Sequence, residues 1–476
     1  LGAVAAFAAA GLGAAELFPF LRSLPLVRRL GYAYLLGIAL VAGALWALSH
    51  VLEIPLRRPA IWSCVAVPML IGLIAQWRRR GGRRYGERVS RPRPRPVRRS
   101  FWKALAGGLV AAALALVCLG VFAEAVTNPV GNWDSRMIWA AQALYLRAEG
   151  TVDLEVLRDQ RWYIDHPRYP ILLPLAQVAV QEGFEAERDR QLYRALYAAL
   201  LPAFLLVLGD GARRWAGRGP ALLTQLAVVS VPALTVWTAG GAASAYSDLP
   251  LGCFFGAGLV LLLSARRSVL DGLAAGLFLG AAVLTKNEGT FLAFSGLLLG
   301  AFSLVLQRRW RDGKSWKRLA AAAVPVVLAC ALFISWKSSI PNRHDEKYAD
   351  IVELGDFWPE VFTRVPLLAG VLAHEMTLPD VWGHFWWMIP IVLLAGGLVG
   401  WRSWRGRRRA LSVPLLLGFA SPIAVVWGAY TVHWDPVFLA PVTWNRFLVQ
   451  ASLPLFLLLA LALRDLLRRA RLPRKA

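Results

Sequence analysis

Five short polar runs interrupt an otherwise apolar chain. They are Asn132-Trp133-Asp134-Ser135-Arg136, Asp165-His166-Pro167-Arg168-Tyr169-Pro170, Tyr246-Ser247-Asp248-Leu249-Pro250, Thr285-Lys286-Asn287-Glu288-Gly289 and Trp444-Asn445-Arg446-Phe447. Asp134 lies just beyond an apolar block, between an aromatic and a cation. A carboxylate so placed either caps the helix expected over Arg136 to Arg147 or accepts a proton from an attacking hydroxyl. The two prolines of the second run stiffen it and fix where His166, Arg168 and Tyr169 point. Asp248, Lys286 and Glu288 border apolar blocks, where ionisable groups are costly and are usually functional or tightly paired. Lys286 and Glu288 either neutralise one another or serve a ligand. The planar donors of Arg446 suit a phosphate, and its long stem equally lets it snorkel toward water. Together these runs fit a ligand with an anionic headgroup and a lipid tail. Several cations can hold the phosphate while a carboxylate takes a proton.

The elements that must position these residues follow from composition. Of 476 residues, 57% are hydrophobic and 17% are charged, and the mean hydropathy is +0.51. Soluble domains carry about 45–50% apolar and about 25% charged residues. The balance excludes disordered, fibrous and disulfide-stapled proteins and argues against a soluble enzyme. Apolar residues fall in long blocks, and about 20 of them suffice to span a bilayer. The expected fold class is all-α: a polytopic membrane protein of about 13 transmembrane helices. The expected spans are roughly 1–21, 31–52, 59–77, 101–126, 191–209, 219–240, 244–265, 269–286, 289–306, 319–340, 382–400, 411–430 and 446–464. The pair 269–286 and 289–306 could also form one re-entrant hairpin.

The formal net charge is +24. In a soluble chain that would suggest nucleic acid, but here the charge sorts by side. Alternate connections (22–30, 78–100, 210–218, 266–268, 307–318, 401–410 and the tail), with Lys103, hold 37 of the 53 basic residues. With Asp271 at the start of the next span, this side carries five acids: Glu87, Asp210, Asp271, Asp312 and Asp465. The positive-inside rule puts this side in the cytoplasm. The N-terminus is then outside and the C-terminus inside, as expected of a multi-pass protein of the plasma (inner) membrane. All five polar runs share the extracytoplasmic side. The first apolar block lacks a basic leader and a clear cleavage site, so it is expected to be a span and not a signal peptide.

Four segments are expected: an N-terminal three-span extension (1–77), a basic Arg/Pro cytoplasmic linker (78–100), a transmembrane core (101–465) and a cytoplasmic tail (466–476). The Arg-Pro alternation over 91–96 forbids a helix there and reads as an extended linker. It can contact anionic lipid headgroups, and no aromatic residues interleave with it to make a nucleic-acid platform. Two outside loops, about 127–190 and 341–381, are too long for simple connectors. Ile171 to Val180 is too short to cross and should lie at the interface or be buried. Phe357 to Leu378 alternates Trp358, Val361, Val365, Leu368 and Leu372 with polar positions, as an interfacial helix would. Cys64, Cys118, Cys253 and Cys330 are scattered through spans and read as small buried hydrophobes. No Walker A or glycine-rich nucleotide fingerprint occurs, so a donor already activated in the membrane is expected.

On these motifs the chain resembles the GT-C superfamily of polyprenyl-phosphate-dependent glycosyltransferases. In pattern it is similar to the protein O-mannosyltransferases and lipid A aminoarabinose transferases of glycosyltransferase family 39. Those enzymes carry an acid in the first large extracytoplasmic loop, then a proline turn, a membrane-surface helix and a span ending in arginines. Here these look like Asp134, then His166-Pro167-Arg168-Tyr169-Pro170, then 191–209 leading to Arg213 and Arg214. The resemblance covers roughly 101–465. Mannosyltransferases often follow the acid with Glu, whereas Ser135 follows Asp134. The aminoarabinose transferases carry Lys before the prolines, whereas His166 stands here.

The resemblance implies an inverting transfer of a hexosyl or pentosyl group from a polyprenyl-phosphate carrier to a hydroxyl of a glycan, lipid or protein acceptor. It implies Asp134 as general base, with Arg168, Lys286, Arg446, His166 and Arg136 on the donor phosphate. Asp248, Glu288, Tyr169 and Tyr246 would orient sugar or acceptor. Lys337, Arg343 and His344 are further phosphate candidates. Asp134, Asp248 and His166 are acceptable metal ligands, but no metal and no other cofactor is expected. Beyond donor and acceptor, the expected partners are membrane lipids and not nucleic acid. An O-antigen ligase or polymerase using a lipid-diphosphate glycan is one alternative. A transporter of lipid-linked sugars is another, for which paired broken helices and internal repeats would be expected. The topology is checked by cysteine labelling: residues introduced at Tyr163 and at Gly82 should react from opposite sides of the membrane, and reaction from the same side would break the assignment.

Overall fold

The computed structural model describes residues 1–83, 101–129, 131–159, 166–184, 192–236, 240–264, 268–341, 357–400, 408–432 and 435–470. Helices α1 (Gly2–Ala15), α2 (Pro19–Arg22), α3 (Leu26–Leu52) and α4 (Arg58–Arg83) come first. Helix α5 (Phe101–Thr127) leads to a π-helical turn, Ser135–Ala140, and then to α6 (Ala141–Glu149), α7 (Glu155–Arg158) and α8 (Leu172–Gly183). Next are α9 (Ala195–Ala198), α10 (Leu200–Trp215), α11 (Arg218–Val229), α12 (Asp248–Leu263), α13 (Val269–Val283), α14 (Asn287–Leu306) and α15 (Gly313–Ser338). The second long connection carries α16 (Phe357–Thr377) and α17 (Pro379–Trp382). The chain closes with α18 (Phe385–Gly400), α19 (Arg409–Val432) and α20 (Pro436–Ala470).

The protein is an all-α polytopic membrane protein, with no strand among the described residues. Among the described residues, eight helices are long and apolar enough to cross a bilayer: α3, α4, α5, the run Leu192–Trp215, α14, α15, α19 and α20. Four more, α1, α12, α13 and Phe385–Leu398 of α18, are apolar but shorter. The block expected over 219–240 is not one helix. α11 has 12 residues and stops at Val229, and Val231 is extended ahead of Pro232, which opens a separate 3-10 turn. A residue preceding proline is pushed out of the helical region, so this apolar block is divided at Val231. The first block breaks similarly: α1 ends at Ala15 and Pro19 starts α2. Between them Glu16 is held by Arg29 at 2.5 Å and Arg79 at 2.7 Å.

Helix α12 is buried along all its length, as expected of a helix that is apolar on every face, and it packs against α10, α13, α14 and α20. The tightest seam joins α13 to α15. Gly272, Gly276 and Gly280 recur every fourth residue on α13. A Cβ added at the first two would sit 2.1 Å from the Arg318 carbonyl oxygen and 2.2 Å from that of Ala322. Such small-residue stripes let backbones approach where no hydrophobic force separates lipid from helix. Buried Arg318 adds a clamp. It donates to the carbonyls of Leu262 and Ser264, each at 3.1 Å, and to that of Leu261, satisfying the C-terminal end of α12. The α12–α13–α15 unit thereby fixes the start of α12 and the turn after α13.

The first 77 residues pack directly on the core, α3 lying against α10, α8 and α13. Asp210 of α10 is fully buried and accepts from Arg28 at 2.9 Å, Arg214 at 2.8 Å and the Tyr32 hydroxyl at 3.3 Å. Helix α4 continues to Arg83, so the start of the expected linker is helical, while its Arg-Pro alternation lies outside the described residues. Helix α8 is buried among its neighbours, and α16 occupies the stretch expected to be an interfacial helix. Gly276→Leu should lower the midpoint of thermal unfolding in detergent, by an overpacking cost of at least ~1–3 kcal/mol. Gly428→Ala, inside α19 where an added Cβ meets nothing within 4 Å, should not lower the midpoint, alanine being the better helix former.

Candidate active site

Asp134 occupies the cap position of the π-helical turn, yet its side chain makes no capping bond. Its Oδ2 instead pairs with Arg446 Nη1 at 2.8 Å. The next side chain pins the turn: buried Ser135 donates to the carbonyl of Ser244 at 2.5 Å. That joins Asp134 to the turn preceding α12. In this turn Ala245 takes φ +60°, a left-handed conformation costing a non-glycine residue about 1–2 kcal/mol. The bend turns the Tyr246 ring under the Arg446 guanidinium, whose Cζ lies 4.6 Å from the ring centroid. Burial, reinforced by the charge on Asp134, pushes the Tyr246 phenol above the usual tyrosine range, so it remains a neutral donor.

Two residues later, Asp248 opens α12 with none of its surface exposed. Lys286 is the extended cap residue of α14, and its Nζ lies 3.0 Å from Asp248 Oδ1 and 3.1 Å from Glu288 Oε1. Arg446 Nε meets Asp248 Oδ2 at 3.0 Å. Gln450, one turn further along α20, donates to Asp248 Oδ1 at 2.6 Å. The result is an alternating chain of charges, Glu288, Lys286, Asp248, Arg446 and Asp134. Burial works against the charge on Lys286, but Asp248 and Glu288 outweigh it and hold the ammonium above the usual lysine range.

This chain forms one wall of a cavity of about 600 Å³. Asp134, Lys286, Glu288 and Arg446 line it directly, together with His166, Arg168, Tyr169 and Lys337. Another wall is apolar, formed by Val425, Val426 and Ala429 of α19 with Leu439 and Val442 of α20. The proline turn enters through a tight bend. His166 takes φ +49°, its carbonyl accepts from Tyr169 N at 3.1 Å and Gln142 Nε2 at 3.2 Å, and its ring stacks on Tyr169 at 4.5 Å.

Of the residues singled out in the sequence, the fold thus gathers Asp134, His166, Arg168, Tyr169, Glu288, Lys286, Lys337 and Arg446 around one space. Asp248 and Tyr246 lie behind it, in contact with Arg446 and not on the cavity surface. Arg136 is exposed on the π-helical turn and does not line the cavity. Asp165, Arg343 and His344 lie outside the described residues. Sequence reasoning missed Gln450, although its place one helical turn after Arg446 was a usable signal. It also missed a relay beside Arg446. Trp382 Nε1 donates to Asn445 Oδ1 and Asn445 Nδ2 to Glu375 Oε2, both at 2.7 Å, tying the second loop to α20. No group of three or more His, Cys, Asp or Glu side chains able to hold a metal occurs among the described residues.

The fold and site define a helical membrane protein with a charged cavity between its helices. No family model matches the chain, and no curated protein matches it in sequence. Among solved structures it is similar to the crystal structure of the Archaeoglobus fulgidus oligosaccharyltransferase in complex with Zn and sulfate, at 15% identity and a TM-score of 0.41. The match covers 76% of this chain and 49% of that one, so the chain spans about half the length of that structure.

Asp248→Asn preserves shape but leaves two buried cations undercompensated. It should destabilise the protein by ~3–5 kcal/mol, the range for breaking a buried charge pair, read by thermal unfolding in detergent. Arg136→Ala, at an exposed position, should not move the transition.

Proposed function

We propose that this chain is a membrane glycosyltransferase of the GT-C type, transferring one sugar from a polyprenyl-phosphate carrier to an acceptor hydroxyl on the extracytoplasmic face. The observation that carries the reading is the alternating ion chain on the wall of the cavity, with Asp134 at its open end and an apolar wall beside it. A carboxylate, a cluster of cations and a lipid-compatible surface around 600 Å³ are the parts such a transfer needs.

In this reading the acceptor oxygen attacks the anomeric carbon, the bond from that carbon to the phosphate oxygen breaks, and the hydroxyl proton passes to Asp134. The lipid phosphate leaves with the bonding electrons. One displacement inverts the anomeric centre. Arg446 holds Asp134 Oδ2 and so aims the carboxylate, while Oδ1 takes the proton. Arg168, Lys286, Arg446 and Lys337, with His166, receive the phosphate, and their fixed positive charge stabilises the leaving group as it develops. Glu288 and Tyr169 orient the sugar or acceptor. We assign Asp248 and Tyr246 to holding the cations and not to touching substrate, because both lie behind Arg446.

Arg168, Lys286, Lys337 and Arg446 line the same cavity as Asp134 and Glu288, a setting that suits a phosphate group. The acceptor class, whether glycan, lipid or protein, is set by surfaces beyond this cavity.

Asp134→Asn should cut transfer from a polyprenyl-phosphate monosaccharide by ~10²–10⁴-fold, the usual worth of a general base. Binding of that donor should persist, measured by a lipid-phosphate displacement assay. Wild-type turnover in the variant would remove Asp134 as the base.

A further inference from the structure

A second constellation lies away from this cavity. His50 of α3 and Asp153, in the connection after α6, meet with His50 Nδ1 at 3.1 Å from Asp153 Oδ1. On its other side the imidazole Nε2 lies 3.0 Å from the Oγ of Ser335 on α15. A carboxylate on Nδ1 selects the tautomer protonated there and turns the Nε2 lone pair toward the hydroxyl. This is the order of groups that activates a serine nucleophile. Arg158 Nη2 at 3.3 Å further orients Asp153.

The three side chains are braced through their neighbours in sequence. Val152 N donates to Ser49 Oγ at 3.2 Å, and the Val152 carbonyl accepts from Trp336 Nε1 at 2.9 Å. Ser49, Val152 and Trp336, adjacent to His50, Asp153 and Ser335, are all buried, and Trp336 packs edge-on against Trp46 at 5.3 Å. A site held by packed, hydrogen-bonded neighbours keeps its geometry. His50 and Ser335 both belong to the last turns of their helices.

His50 and Ser335 also stand at one end of an apolar groove of about 620 Å³ between α3, α13 and α15. Ala39, Gly43 and Ala47 form one side, and Leu277, Ala281 and Leu332 the other. A groove lined this way takes a hydrocarbon chain, and the ends of spanning helices lie near headgroup depth. An acyl chain in the groove brings its ester to Ser335.

We propose that His50, Asp153 and Ser335 form an acyl-transfer site for the ester of a membrane lipid whose acyl chain lies in this groove. Ser335 Oγ bonds to the ester carbonyl carbon, and its proton moves to His50 Nε2. The carbon–oxygen bond to the lipid alcohol breaks, and the alcohol leaves with that proton. Water or another hydroxyl then attacks the acyl-serine through the same base, regenerating Ser335 without any change of oxidation state. The proposal is independent of the sugar-transfer reading.

The test treats the full chain, purified in detergent, with a fluorophosphonate probe and with a long-chain acyl nitrophenyl ester. Label should map to Ser335, vanish in Ser335→Ala, form at least tenfold more slowly in His50→Gln and persist in Ser63→Ala, an exposed serine bonded to the Pro59 carbonyl. Nitrophenolate release should fall at least ~100-fold in Ser335→Ala. A wild-type chain that takes no label, label surviving in Ser335→Ala, or equal ester cleavage by both chains would overturn the proposal and leave the three side chains as a latch between helices.

Discussion

Asp248 has no exposed surface, and it is tolerable there while Lys286, Arg446 and Gln450 surround it. A lone carboxylate in such a place would cost several kcal/mol in lost solvation. The partners come from segments far apart in the chain, Lys286 lying 38 residues away and Arg446 lying 198. One buried charge therefore obliges the start of α12, the turn between α13 and α14, and the middle of α20 to meet. The cavity exists because they meet. Asp134 and Glu288 complete the charge chain at its two ends, where the cations have bonding capacity left.

Backbone packing sets the precision of that meeting. The glycine stripe of α13 brings its axis close to α15, and Arg318 locks the far end of α12 to the same pair. Motion of Asp248 against Lys286 would require the α12–α13–α15 unit to come apart. On the first loop, Ser135 bonded to Ser244 does the same for Asp134. The second loop is tied by Glu375, Asn445 and Trp382. Such rigidity suits a site whose dipoles must already point at developing charge. The smaller His50 constellation follows the same logic, with its neighbours Ser49, Val152 and Trp336 bonded to one another.

Particular residues show how far sequence reading reaches. The polar runs at 132–136, 166–170, 246–250, 285–289 and 444–447 were visible because ionisable groups beside apolar blocks are rare and costly. Nine of their members line one cavity: Asp134, His166, Arg168, Tyr169, Lys286, Asn287, Glu288, Arg446 and Phe447. Arg136 was grouped with them by proximity to Asp134, but the π-helical turn points it outward. Asp248 read as a residue to orient substrate, whereas it lies behind Arg446. Gln450 went unnoticed because a glutamine inside an apolar span announces no partner. The block 219–240 read as a span because composition does not register how Pro232 bends the chain before it.

What the chain's residues determined alone was the class of protein, the helical architecture and the short list of groups able to do chemistry. Those follow from local facts: about 20 apolar residues match the thickness of a bilayer, and a charge among them needs a reason. Which charges pair, which one faces the cavity and which is sealed behind it were decided by tertiary structure. Pairing depends on how closely helices distant in sequence approach, and that distance is set by glycine contacts and turn geometry summed over the whole bundle, which no local pattern encodes.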